Sequence, residues 1–168
     1  MKKKIEAEYI EKAHYYRRKF INEFNFLEKL IENYLIRHFQ IIGPNAEDFA
    51  NIILDRLTFQ SKKESFYALM NKKVTNQGFK KTNNNSYPHG KLFKDITEIQ
   101  DERNAFAHYD LMIPIDYSKI CIVLAEFRDS EKRHEYTFKE FEDLILKIKN
   151  TTTEVYKLFE ALPERFLH

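Results

Sequence analysis

The chain has 168 residues, 43% hydrophobic and 32% charged, with a net charge of only +2. That balance excludes a disordered chain and supports one substantial core, and the small net charge does not by itself mark a nucleic-acid binder. Three Gly and four Pro argue against a loop-rich or all-β fold, and the lone Cys121 excludes a disulfide framework or a thiolate metal site within one chain.

The start, Met1-Lys2-Lys3-Lys4, resembles a signal n-region, but no apolar segment follows it. No stretch approaches the ~18 consecutive apolar residues of a membrane span, so the sequence predicts a soluble, cytoplasmic protein. A first helix is expected from about Lys4 to Gln40, because Phe20, Phe24, Leu27, Ile31, Tyr34, Leu35 and His38 recur at steps of three and four. Gly43-Pro44 ends it, and Asn45 caps a short second helix with Phe49, Ile52, Ile53 and Leu57 facing inward. Ser61 caps a third helix, Glu64 completing a capping box, with Phe66, Leu69 and Met70 as its apolar positions.

From Asn71 to Gly90 the composition predicts an exposed loop, marked by Thr75-Asn76-Gln77-Gly78 and by Asn83 to Gly90. Between Ser61 and Lys94 eight lysines face one acid, Glu64, which gives +7 locally and leaves −5 for the rest of the +2 chain. Such a segment can draw a polyanion by field focusing, with Lys72, Lys73, Lys80, Lys81 and Lys91 as the candidate RNA contacts. A solvated lysine-rich loop is the plainer reading of the same residues.

The next helix, Leu92 to Asp110, carries the most informative stretch, Arg103-Asn104-Ala105-Phe106-Ala107-His108. Leu92, Phe93, Ile96, Ile99 and Phe106 cluster in one arc of the wheel, and Arg103 projects near its middle. A cation there must be paired or face a cleft. Asn104 and His108 stack on one stripe at the arc's edge. Arg103 and His108 are offset by about 140° and about 7.5 Å of rise, a poor geometry for a pair within one helix. It suits a cleft where two copies of the helix meet.

After Pro114, the run Lys119 to Phe127 predicts a strand that turns at Arg128-Asp129-Ser130 and returns through Glu135-Tyr136. Thr137 with Glu140 forms another capping box. Phe138, Phe141, Leu144, Ile145, Ile148, Val155, Leu158 and Phe159 mark a last helix to about Leu162.

Few other constellations compete. The six histidines show no metal-binding spacing, and no Gly-rich phosphate loop exists. Asp95, Glu98, Asp101 and Glu102 make a solvated acidic patch, in which Glu102 is placed to pair with Arg103 of a second copy. Tyr15-Tyr16-Arg17-Arg18-Lys19 mixes aromatics with base as single-strand binders do, although an ordinary helix face explains it as well.

The Arg-x4-His pattern, with a polar residue directly after the arginine, resembles the signature of HEPN domains, all-α proteins often found as metal-independent ribonucleases. Arg56-Leu57-Thr58-Phe59-Gln60-Ser61-Lys62 is similar to the helix-joining segment common in that family, and the likeness covers roughly Tyr9 to Tyr109. Some toxin members carry a tyrosine two places after the histidine, whereas this chain has Tyr109 one place after and Asp110 at two. With no internal repeat or linker, the sequence predicts a single domain over 1–168, mainly α, of four to five helices with a small inserted β-hairpin, which the resemblance makes a HEPN-like up-and-down bundle. The resemblance also implies a homodimeric endoribonuclease that needs neither metal nor cofactor and leaves a 2′,3′-cyclic phosphate, commonly in toxin–antitoxin or phage-defence settings. Arg103, Asn104 and His108 are then the catalytic residues, with RNA as substrate and an antitoxin or other protein as a further partner. The alternative is a non-catalytic HEPN-like module that binds RNA, a nucleotide or a protein.

Overall fold

The computed structural model describes residues 2–78, 88–116 and 118–162, without the side chains of 2, 3 and 129–131. Among these residues are five α-helices: α1 (Lys2–His38), α2 (Pro44–Asp48), α3 (Phe59–Asn76), α4 (Gly90–His108) and α5 (Phe138–Glu160). Strands β1 (Asp110–Met112), β2 (Ile120–Glu126) and β3 (Asp129–Thr137) lie between α4 and α5 in the chain. The described residues form two compact units. One joins those up to Asn25 with Glu98–Lys149, and the other joins Phe26–Thr97 with those from Asn150 onward. No described helix is long and apolar enough to cross a membrane.

In the first unit the buried stripe of α1 comprises Tyr9, Ala13, Phe20 and Phe24. Phe20 stacks on Phe106 with ring centroids 4.2 Å apart, and Tyr136 and Phe141 pack around Phe106 at 5.2 and 6.2 Å. The sheet is antiparallel in the order β1-β2-β3, with Leu111 opposite Leu124 and Leu124 opposite His134. It corrects two expectations. Glu126 pairs with Asp129, so the turn is Phe127-Arg128, tighter and earlier than Arg128-Asp129-Ser130. The inserted element is also a three-stranded sheet rather than a two-stranded hairpin.

The extra strand, β1, is only three residues long and shows no alternation that periodicity can detect. A tyrosine from α1 secures it. The Tyr9 hydroxyl donates to the Met112 carbonyl at 3.2 Å and accepts from the Val123 amide at 3.0 Å. Met112 and Val123 are register partners, so this hydroxyl bridges the end of the β1–β2 ladder. Tyr9→Phe strands the amide of buried Val123, which costs about 1–3 kcal/mol. Urea unfolding should register that loss together with faster exchange of the Val123 amide; an unchanged midpoint would contradict the role given to Tyr9.

The start of α5 agrees with the sequence. The Thr137 amide donates to the Glu140 carboxylate at 2.8 Å, and the Glu140 amide donates back to the Thr137 hydroxyl at 3.2 Å.

In the second unit Leu27, Ile31, Tyr34 and Leu35 are buried along α1, as their spacing predicts. Tyr34 donates to the Met70 sulfur at 3.2 Å and sets its ring against Phe66, which in turn meets Phe93. Several boundaries differ from expectation. Helix α1 stops at His38 because Gln40 takes a left-handed conformation, φ 56, and the Ile41 amide closes back on the Ile36 carbonyl. Gly43 comes later and caps α2 instead, without a side-chain cap from Asn45. After α2 the chain passes through a π turn (Phe49–Ile53) and a 3₁₀ turn (Leu54–Arg56), which change the helical phase. Ala50 and Leu54 are therefore buried, while Ile52, Ile53 and Leu57 are exposed.

Helix α3 is capped three residues earlier than expected, by Thr58 in place of Ser61. Thr58 is extended and accepts from the Ser61 amide at 3.2 Å, which brings Phe59 into the core. At its other end α3 runs on to Asn76, so the first six residues of the expected loop are helical. Of the rest, 77–78 and 88–89 are turns, Gly90 opens α4, and 79–87 lie outside the described residues.

Candidate functional site at the end of α4

The carboxyl-terminal half of α4 belongs to the first unit, where Ile99, Ala105 and Phe106 are buried. The same helix presents Arg103, Asn104 and His108. Arg103 is half-buried, with its guanidinium 5.5 Å from the centroid of the Phe24 ring. Among the described residues the cation in the apolar arc thus rests on an aromatic face rather than on a carboxylate. It also makes a long contact, 3.4 Å, to the Asn104 amide oxygen. Asn104 and His108 are exposed, and His108 is the last residue of the helix. Among the described residues no hydrogen bond or ion pair joins His108 to Arg103 or Asn104. One chain does not bring His108 and Arg103 together, as their offset on the helix requires.

The candidate phosphate contacts lie in the other unit. Lys72 is exposed and Lys73 half-buried near the end of α3, and Lys91 is exposed in the first turn of α4. Burial, then the nearby charges of Lys73 and Lys72, hold the His38 imidazole below its ordinary range. Burial and Lys73 do the same to His89, against the opposing pull of Glu154. Lys80 and Lys81 lie outside the described residues.

One lysine of the basic segment turns inward. Lys62 is 4% exposed and donates at 2.6 Å to both Glu28 and Glu32, the latter also 4% exposed and bonded to Lys29. Its charge is committed to the core of the second unit and is unavailable to a polyanion.

The first unit also contains groups that sequence reasoning did not assign. Tyr136 donates to the Glu102 carboxylate, and the Nδ1 of His134 lies 3.2 Å from the Tyr136 oxygen and 3.8 Å from Glu102. Burial, and then the Glu102 carboxylate, push the Tyr136 hydroxyl upward, so it stays protonated at neutral pH. The sequence offers Arg103 of a second copy as the partner of Glu102; within the chain Glu102 is engaged by Tyr136. The available signal was His134-x-Tyr136, two residues apart on a strand and so on one face. Tyr109 sets its ring edge-on against His134, 5.6 Å between centroids. Arg17 donates to the carbonyl of Tyr109, the residue directly after His108. Burial draws the Arg17 guanidinium downward and Asp110 opposes the shift.

Among the described residues no three His, Cys, Asp or Glu side chains gather as a metal would need. The chain matches no protein-family model, no curated protein and no solved structure.

Proposed function

We propose that the chain is a metal-independent endoribonuclease of HEPN type, a homodimer whose two α4 ends face each other across one cleft. The HEPN-like up-and-down bundle and the toxin–antitoxin or phage-defence setting belong to the same proposal. The observation that carries it is the pairing, on one helix end, of an exposed His108 with a half-buried Arg103. An imidazole can take the proton from a ribose 2′-hydroxyl, whose oxygen attacks the adjacent phosphorus. The bond from phosphorus to the 5′-oxygen then breaks, the imidazolium so formed gives its proton to that oxygen, and a 2′,3′-cyclic phosphate remains. Arg103 offers a fork of donors to the phosphorane oxygens as charge builds on them. Asn104 orients the phosphate.

A second reading has a specific observation behind it. Arg103 and His108 make no described contact, and the tyrosine of some toxin members is displaced here to Tyr109. A monomer with this arrangement suits a non-catalytic module that binds RNA, a nucleotide or a protein. Incubation of the wild type and His108→Ala with mixed RNA in EDTA separates the two. The ribonuclease reading requires cutting by the wild type alone; intact RNA in both samples favours the binding module.

A further inference from the structure

We propose that the exposed groove of α1 in the first unit is a phosphodiester-binding site that takes the backbone of single-stranded RNA. It deepens the ribonuclease reading and rests on it only for the identity of the polymer. The groove measures about 660 Å³ and is lined by Ala7, Ile10, Glu11, His14, Arg17 and Arg18. Those positions step by three and one, so they form a single stripe of the helix. Two arginines and an imidazole there face one carboxylate, Glu11.

Arg17 is the informative member. It is half-buried, and its Nε is enclosed with no acceptor among the described residues. Its Nη2 is held by the Tyr109 carbonyl, and Asp110 is the carboxylate that opposes its desolvation. A guanidinium partly removed from water whose described hydrogen bond goes to a neutral carbonyl is under-compensated, and the part of it that lines the groove suits an anion. The Tyr109 bond also ties the groove to the end of α4, one residue from His108.

The occupant follows from charge and shape. A second copy laid on the stripe would add two more arginines against a single further carboxylate, leaving the excess of cations uncompensated. A phosphodiester matches the guanidinium fork and spreads its charge along the stripe. Tyr15, exposed beside His14, supplies a ring on which an unpaired base can stack.

The test is fluorescence anisotropy of a labelled 2′-O-methyl oligouridine, which cannot be cut, titrated with the full chain over a range of salt. His14→Gln with Arg18→Gln changes two exposed side chains, and Arg17→Lys keeps the charge but removes the fork. Both variants should bind at least about tenfold more weakly. The double variant should also flatten the slope of log K against log salt by about 0.7 for each phosphate it no longer neutralises. No binding by the wild type, or unchanged affinity and slope in the double variant, overturns the proposal. Tighter binding of polyglutamate than of the oligonucleotide, abolished in the same variants, also overturns it and makes the groove a protein-docking face. The result stands apart from cleavage. A groove that binds on a chain that cuts nothing sinks only the ribonuclease reading, and cutting with binding indifferent to the variants sinks only the groove.

Discussion

His108→Ala and Arg103→Ala are each expected to slow RNA cleavage by at least about a hundredfold, the scale of removing one acid–base or electrostatic contribution. EDTA should leave the wild-type rate unchanged. His108 is exposed at a helix end, so its removal should barely alter stability. Arg103→Ala removes the cation from the face of Phe24, an interaction worth about 0.5–1 kcal/mol at a partly exposed site, and should still fold. Thermal unfolding of both variants distinguishes a failed reaction from a failed fold. Cleavage that survives both changes, or wild-type cleavage that stops in EDTA, would contradict the proposed chemistry.

The largest effect on stability is expected at Lys62. Lys62→Met removes the cation between Glu28 and Glu32 and leaves a carboxylate that is 4% exposed without its nearest partner. Breaking such a buried pair costs about 3–5 kcal/mol, a large share of the roughly 5–15 kcal/mol that holds a typical domain. Changing Glu28 and Glu32 to Leu in the same chain should return most of it, because apolar replacement of a whole buried cluster is often neutral. Denaturant unfolding of the single and triple variants checks both. A Lys62→Met midpoint within error of the wild type would show that the cluster contributes nothing.

The same cluster sets a pH window. Burial alone would raise the Glu32 carboxyl, but the bonds and charges of Lys29 and Lys62 carry it below its ordinary 4.5. Its contribution is therefore complete above pH 4.5 and disappears as pH falls through the lowered folded value. Burial alone would lower Lys62, yet Glu28 and Glu32 raise it above its ordinary 10.5. That contribution is complete below pH 10.5 and disappears as pH rises through the raised value.

The long helices are legible because burial imposes a period that survives in the sequence. Phe20, Phe24, Leu27, Ile31 and Tyr34 share one face by spacing and are all fully buried. What escapes are features with no period. β1 depends on the Tyr9 hydroxyl, more than a hundred residues away in the chain. The end of α1 depends on a glutamine in a left-handed conformation that glycine usually occupies. Ile52 and Ile53 mislead because a π turn shifts the phase that an α-helical wheel assumes.

The candidate site is legible as residue types and helical position, and Arg103, Asn104 and His108 do share the end of α4. Its surroundings are not legible. Phe24 beneath Arg103, Tyr136 and His134 beside Glu102, and Arg17 on Tyr109 all arrive from distant segments. The lysine-rich segment looks uniform in sequence, yet Lys62 is sealed inside while Lys72 is in water.

In the proposed dimer Arg103 and His108 act together from two copies of the chain. Mixing the inactive Arg103→Ala and His108→Ala proteins under conditions that exchange subunits tests it most directly. Each mixed dimer keeps one arginine and one imidazole in the shared cleft. RNA cleavage by the mixture should rise at least about tenfold above either variant alone. A mixture as inactive as its two components, with exchange verified and the wild type active, would contradict it.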